Sequence, residues 1–176
     1  LNIVLKTQVK RLEGSSGAWF LIDENEQSIG PFDWVVSAVP APQAINLLPS
    51  CFVKKNKVGD GMFSGCFAMM LGFENPISLN FQAAAITDPV LAWLSTRDCS
   101  SLLIHSRNDW ATDHIDADLK WVESTMYKAV MALLPSVDSQ PIHRDLHRWR
   151  FAKCEQALGH DYFLESNDQV AAIGDW

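Results

Sequence analysis

The residues with the clearest chemical potential lie together in one short stretch of the sequence. Residues 141–153 read PIHRDLHRWRFAK and bring two His, three Arg and one Trp into eight positions. His143 and His147 are four apart, so a helix would place both on one face, as in HExxH zinc sites. Arg144 stands where that motif has Glu, and no third ligand is evident. A Trp flanked by two Arg instead suggests a planar or anionic ligand.

The secondary structure of this stretch determines which of its side chains can act together. On a strand, successive side chains alternate between the two faces. One face would then carry His143, Asp145, His147 and Trp149, and the other Arg144, Leu146, Arg148 and Arg150. A polar edge strand without any ligand explains much of the same pattern, so both interpretations stay open.

A second candidate site is the segment Phe32–Leu48, which reads FDWVVSAVPAPQAINLL. Its uncharged run Trp34–Val39 predicts a strand buried on both faces, as in a parallel sheet under helices. Pro40 and Pro42 end the strand because proline fixes φ and donates no ladder hydrogen bond. Gln43–Leu48 then predicts a short helix. A strand that passes through a tight turn into a helix is where α/β proteins bind ligands.

The end of the chain repeats this arrangement. Val170–Ile173 is a short apolar run that predicts a second buried strand, and Gly174, Asp175 and Trp176 follow it. We therefore expect two buried strands, one early and one late, to bracket the remainder of the chain.

The other elements are predicted from shorter patterns. Three short strands form a predicted β-meander before Trp34: Asn2–Leu12, Ala18–Ile22 and Ser28–Pro31. Cys51–Gly65 predicts a flexible loop. Short strands without long helices between them indicate an antiparallel sheet. The predicted strands are Cys66–Phe73, Leu91–Ser95 and Leu102–His105. The secondary structure of the apolar stretch Phe81–Ile86 is ambiguous. One amphipathic helix should cover this sheet over Leu119–Leu134, with its apolar face formed by Leu119, Val122, Met126, Val130 and Leu133.

The composition limits the kinds of partner. The net charge is −7 and neither Lys nor Arg forms a run, which argues against a nucleic-acid or anionic-membrane surface. No stretch approaches the length of a membrane span. The four cysteines lack CxxC spacing and nothing resembles a secretion signal, so we expect reduced thiols in a cytoplasmic protein. The sequence starts without Met and inside a strand-like pattern, which suggests a fragment of a longer protein.

Five sequence blocks carry a resemblance to a known family. They are DWVVSAVPAPQA, LAWL, LLIHSRNDW, HRWRFA and AAIGDW, in this order. Together they resemble the C-terminal portion of renalase-like proteins, which belong to the flavin-dependent amine-oxidase superfamily. The family's N-terminal GxGxxG unit, which holds the cofactor pyrophosphate, is absent from these residues.

The resemblance implies an α+β fold in three parts. Residues 1–50 would be a remnant of an α/β FAD-binding domain, comprising the meander, a buried strand and a short helix. Residues 51–158 would form the substrate domain, an antiparallel or mixed sheet with flanking helices. Residues 159–176 would return to the FAD-binding domain as a strand.

The resemblance also implies roles for individual residues. Gly174 would let the backbone approach FAD, and the Asp175 carboxylate would accept hydrogen bonds from ribityl hydroxyls. The full set of cofactor-binding candidates is Val39, Pro40, Gly174, Asp175 and Trp176. The catalytic candidates, which would surround the substrate ring, are His105, Trp149 and Arg150. Arg148 or Arg150 could hold a substrate phosphate. The loop Arg97–Ser101 departs from the family because it lacks a Lys-Pro-Gly sequence.

The function implied is that of an FAD-dependent oxidase. Its substrates would be dihydronicotinamide nucleotides and its second product hydrogen peroxide. The alternatives are another flavin amine oxidase or desaturase, or a ligand-binding domain that has no flavin. We expect the fragment alone to be inactive, to bind FAD weakly, and to associate with itself through the strand edge of Asn2–Leu12 or Val170–Ile173.

Overall fold

The computed structural model describes residues 2–59, 62–135, 137 and 139–175. Among these residues it contains eleven strands, four helices and three sheets, so the predicted α+β class is confirmed. The chain divides into two compact units, which are Leu1–Met62 with Cys154–Trp176, and Phe63–Lys153. Trp176 lies outside the described residues. No helix in the described ranges is long and apolar enough to cross a membrane.

The first unit contains the predicted meander, a three-stranded antiparallel sheet in the order β1-β2-β3. Its strands are β1 (Val9–Ser15), β2 (Ala18–Asp23) and β3 (Ser28–Phe32). The first strand begins and ends later than the predicted Asn2–Leu12. Ser15 pairs with Ala18 across a two-residue turn whose Gly17 has a φ of 76°, so the pairing continues further than the Gly-Ser-Ser-Gly sequence suggested.

The second sheet of this unit joins the early and late strands of the chain. Its strands are β4 (Val35–Ser37), β10 (Tyr162–Glu165) and β11 (Val170–Ile173), in the order β10-β11-β4. β11 runs antiparallel to β10 and parallel to β4. Because β11 is the middle strand, it offers no free edge for self-association, and the prediction that Val170–Ile173 could pair with another chain is wrong.

The burial predicted for the early strand is also wrong. Val36 is 55% exposed and Trp34 is 46% exposed. Ser37, the next residue in β4, is 7% exposed, so the strand is buried on one face and not on both. The short helix that follows is confirmed as α1 (Ala41–Leu47), which starts earlier than predicted because Pro42 is tolerated in a first turn. Cys51–Gly65 is not wholly a loop, since it contains α2 (Lys55–Gly59) and the start of the next strand.

The second unit is built on a five-stranded sheet in the order β6-β7-β8-β5-β9. The strands are β5 (Met62–Gly72), β6 (Ala83–Ala85), β7 (Leu91–Ser95), β8 (Ser101–Ser106) and β9 (His143–Gln156). The sequence HRDLHRWR lies within β9, so the strand interpretation of this stretch is confirmed. His143 and His147 are therefore about 13 Å apart along a strand, and the helical HExxH-like arrangement is wrong.

Two helices, α3 (Asn108–Asp113) and α4 (Leu119–Leu133), complete the unit, and α4 packs on one face of the sheet. Val122, Met126 and Val130 of α4 are fully buried in the core cluster. Their spacing of three to four residues is the predicted apolar stripe. Leu119 and Leu133, at the helix ends, were predicted on the same face but are exposed.

The N-terminus of α4 provides a first testable prediction. The Asp118 carboxylate accepts a hydrogen bond of 3.0 Å from the backbone N–H of Trp121. Asp118→Ala should lower the free energy of unfolding by about 1 kcal/mol, because this first-turn N–H loses its acceptor. Urea denaturation would measure the loss, with Asp113→Ala as the control at the exposed acidic residue that ends α3. Equal effects of the two substitutions would show that the cap contributes nothing specific.

Candidate functional site

The second unit presents two different sheet faces. Leu102 and Ile104 of β8 belong to the core beneath α4. Because strand side chains alternate, Ser101, Leu103 and His105 point to the opposite side. We use the name far face for the side of the five-stranded sheet that is turned away from α4.

His105 lies in the middle of a row of side chains on the far face. It is opposite Ala68 of β5 and opposite Trp93 of β7. Directly opposed residues of antiparallel strands share a face at close distance, so the imidazole lies beside the indole. Desolvation lowers the pKa of His105, which keeps the ring neutral near pH 7. A neutral imidazole can donate one hydrogen bond and accept another.

Strand β9 separates the aromatic and basic side chains of the HRWR sequence. The guanidinium of Arg150 contacts the Asp116 carboxylate at 2.6 Å, and Arg148 donates to the Ala117 carbonyl at 2.7 Å. Both partners belong to the α3–α4 connection, so these arginines lie on the helical side. By alternation Trp149 lies on the far face, where it is 53% exposed and packs against His147 with 4.3 Å between ring centroids.

The structure thus places His105 and Trp149 on one face and Arg150 on the other. The sequence interpretation treated Trp149 and Arg150 as one pair in a pocket wall. Adjacent residues in a strand cannot both point into one pocket above the sheet, because successive side chains alternate. The phosphate contact suggested for Arg148 or Arg150 has the same difficulty, since both guanidinium groups bond to the helical side.

A groove of about 390 Å³ lies on the far face, next to the row that contains His105. Met70 and Leu103, which are paired across β5 and β8, contribute its apolar floor. Its polar lining residues are Ser95, Thr96, Arg97, Ser101 and His143. This groove is not evident from the sequence. The signal available was Ser101-Leu103-His105 on alternate positions of a strand, but the neighbouring strands had to be known.

In the first unit, four of the five cofactor-binding candidates follow the carboxyl ends of β4 and β11, and we call this side of the sheet the carboxyl edge. β4 and β11 run parallel with Ser37 opposite Ala172. The segments that follow these strands, Val39–Pro40 and Gly174–Asp175, therefore leave the sheet at the same edge. This is the carboxyl edge of a parallel pair, where α/β sheets bind ligands.

Beside this edge is a cavity of about 820 Å³ lined by residues of the first unit. Val35–Val39 form one wall, with Gln43 and Asn46 of α1 nearby. Ser37 is 7% exposed, and its hydroxyl has no hydrogen-bond partner among the described residues. A buried hydroxyl without a partner costs stability, so a polar group of a ligand would be favoured there.

The comparisons with known proteins show the fold. No family model matches the chain. A similar solved structure is that of a "Putative protoporphyrinogen oxidase" from Exiguobacterium sp. 255-15, with a TM-score of 0.69 and 12% sequence identity. The match covers 98% of this chain and 42% of that one. The chain therefore has the fold of somewhat less than half of the solved protein.

Proposed function

We propose that this chain is part of an FAD-dependent oxidoreductase that oxidises a reduced ring substrate with molecular oxygen. The observation that carries the proposal is the fold match over 98% of the chain to a structure named as an oxidase. The five sequence blocks, which resemble those of a flavin-dependent superfamily in their order, support the same reaction class. The composition favours a cytoplasmic location.

The residues of the first unit fit a cofactor that carries hydroxyl groups. Asp175 is exposed at the carboxyl edge of the parallel pair and can accept hydrogen bonds from ribityl hydroxyls. Gly174 precedes it and lacks the Cβ that would keep a ligand away from the backbone. The buried Ser37 hydroxyl offers a further donor and acceptor. Bound FAD would supply the redox chemistry, accepting a hydride from the substrate and passing two electrons to oxygen to give hydrogen peroxide.

The far face of the second unit provides groups for a planar substrate. Trp93 and Trp149 expose indole surface on which a ring can stack. Neutral His105 between β5 and β7 can hydrogen-bond a carboxamide or a comparable polar group. We propose that the far face binds a dihydronicotinamide nucleotide through these groups. His105 and Trp149 are then the candidate substrate contacts, and Arg150 retains only the support of the sequence resemblance.

Two alternatives make different use of the same surfaces. Another flavin amine oxidase or desaturase would bind its cofactor at the carboxyl edge in the same way but would select a different substrate on the far face. A ligand-binding domain without flavin would use the far face alone. An intact gene product that carries GxGxxG before this chain would support either enzyme and exclude the binding domain.

Flavin content tests the proposal directly. We expect the 176-residue chain to purify colourless, because the residues that the resemblance assigns to the pyrophosphate are not among its own. The intact gene product that includes this chain should purify with stoichiometric flavin, measured by its visible absorbance. Asp175→Asn in the intact protein should reduce flavin occupancy, whereas Asp33→Asn, at an exposed aspartate that precedes β4 and so lies at the opposite end of the parallel pair, should leave it unchanged. A colourless intact protein would contradict the proposed function.

A further inference from the structure

Arg97 differs from the other arginines of the second unit because no residue that the structure describes is its hydrogen-bond or ion-pair partner. Arg107 pairs with Asp109, and Arg150 pairs with Asp116. Arg144 lies over the Tyr127 ring and 3.6 Å from Glu123, while Arg148 donates to a backbone carbonyl. Among the described residues, Arg97 has neither a hydrogen bond nor an ion pair. It is exposed in the β7–β8 loop, and it lines the far-face groove.

The carboxylate closest to Arg97 in sequence accepts hydrogen bonds from serine residues through its Oδ1. Asp98 accepts hydrogen bonds from the Ser101 hydroxyl at 2.6 Å and from both the hydroxyl and the N–H of Ser100 at 3.1 Å. These bonds lower the pKa of Asp98 and hold the loop in one shape. Two backbone bonds fix it further, from Phe73 N–H to the Ser100 carbonyl at 2.8 Å and from Ile77 N–H to the Cys99 carbonyl at 2.7 Å.

The surface of the groove beside Arg97 is mainly apolar, and Arg97, Ser101 and His143 are among its polar lining residues. His143 of β9 lies beside Gly72 of β5, at 3.2 Å from the place where a Cβ on Gly72 would stand. Gly72 in turn is opposite Ser101 of β8. Ser101, Gly72 and His143 therefore form a row across three strands. No described residue that lines the groove carries a carboxylate, so the local charge favours an anion.

The position of this row relates it to the candidate substrate contact. Ser101 and His105 are on the same face of β8 and four residues apart, which corresponds to about 13 Å. A ligand with its ring near His105 and an anionic group near Arg97 would extend along the strands over the floor of Met70 and Leu103. Arginine suits such a group because its planar guanidinium can donate two parallel hydrogen bonds to an oxyanion.

We propose that Arg97, assisted by His143, forms an oxyanion subsite that binds the phosphate or carboxylate group of the substrate and determines substrate specificity. This inference rests on the proposed function, and it assigns to the far-face groove the anion contact that Arg148 and Arg150 cannot make from the helical side. The β7–β8 loop, where the sequence departs from the family it resembles, is then the part of the chain that selects the charged end of the substrate.

The subsite can be tested on the 176-residue chain without flavin. Phenyl phosphate, benzoate and the neutral probe benzyl alcohol would be titrated into ¹⁵N-labelled protein, with the amide signals of Gly72, Ser101 and Leu103 as reporters. We expect at least one anionic probe to shift these signals saturably and to bind at least tenfold more tightly than benzyl alcohol. Arg97→Gln should reduce that anion's affinity about tenfold or more, since a charge-assisted contact is lost.

Controls separate the subsite from a general charge effect. Arg107→Gln removes the same charge from an arginine that is paired with Asp109, and it should leave the affinity of the anionic probe within twofold of the wild type. Arg97→Lys should retain part of the preference because the charge remains. Tight binding of phenyl phosphate alone would identify a phosphate substrate, and tight binding of benzoate alone a carboxylate substrate. Both results support the subsite.

Two results would overturn the subsite. One is equal affinity for anionic and neutral probes, and the other is an anion preference that Arg97→Gln leaves intact in a variant whose amide spectrum is otherwise unchanged. The proposed function fails separately, through a colourless intact protein. Anion binding in a protein without flavin would leave the subsite standing as part of a ligand-binding domain.

Discussion

Met126→Ala is expected to lower the free energy of unfolding of the chain by about 2–5 kcal/mol. Met126 is fully buried at the centre of the α4 face that packs on the five-stranded sheet. Removing its thioether chain loses apolar burial and leaves a cavity that the rigid sheet can fill only in part. The change in the urea midpoint at constant slope would give the loss.

Leu133→Ala is the matched control for this prediction. Leu133 lies two helical turns further along α4, has a side chain of similar size and is exposed. We expect its truncation to cost less than about 1 kcal/mol. Equal losses at the two positions would mean that Met126 is not a core residue between α4 and the sheet.

The centre of α4 could be predicted from the sequence because its information is local. Val122, Met126 and Val130 recur at helical spacing, Asp118 supplies an N-cap, and Pro135 follows the last turn. The exposure of Leu119 and Leu133 could not be predicted. It depends on how far the sheet extends beneath each end of the helix, which is a property of distant strands.

The failed predictions concern features that depend on strand neighbours. The apolar composition of Trp34–Val39 is typical of a strand that is buried on both faces, yet Val36 of β4 is 55% exposed. Similarly, Val170–Ile173 was treated as an available edge, but it pairs on both sides with β10 and β4. The composition of a strand indicates whether its side chains can be buried, whereas its position in the sheet is determined by the rest of the chain.

The candidate site could likewise be predicted from the sequence only in part. Alternation along β9 was derivable from the sequence once a strand was assumed, and it already separates Trp149 from Arg150. The grouping of Trp149 with Arg150 came from the family resemblance and not from this alternation. The far-face groove could not be predicted, because Arg97 and His143 are 46 positions apart in sequence and are brought together by the order of β7, β8, β5 and β9.

The last prediction concerns the reaction of the flavin-containing intact protein. We expect Trp149→Ala to slow flavin reduction by a dihydronicotinamide nucleotide about tenfold or more, with flavin reoxidation by oxygen within about twofold of the wild type. The indole is needed to stack on the substrate ring, whereas reoxidation occurs without that ring. His105→Ala should slow reduction by about ten- to a hundredfold, because one well-placed hydrogen bond to the substrate is lost. Anaerobic stopped-flow reduction and separate mixing with oxygen would measure the two half-reactions.

The exposure of Trp149 makes this experiment interpretable. A side chain that is 53% exposed contributes little to the core, so the melting temperature of Trp149→Ala should stay close to that of the wild type. Trp121→Ala is the matched control, since Trp121 is 46% exposed but lies on α4, on the helical side of the same sheet. It should leave both half-reactions unchanged. If stable Trp149→Ala and His105→Ala proteins reduce their flavin at the wild-type rate, the far face is not where the substrate ring binds.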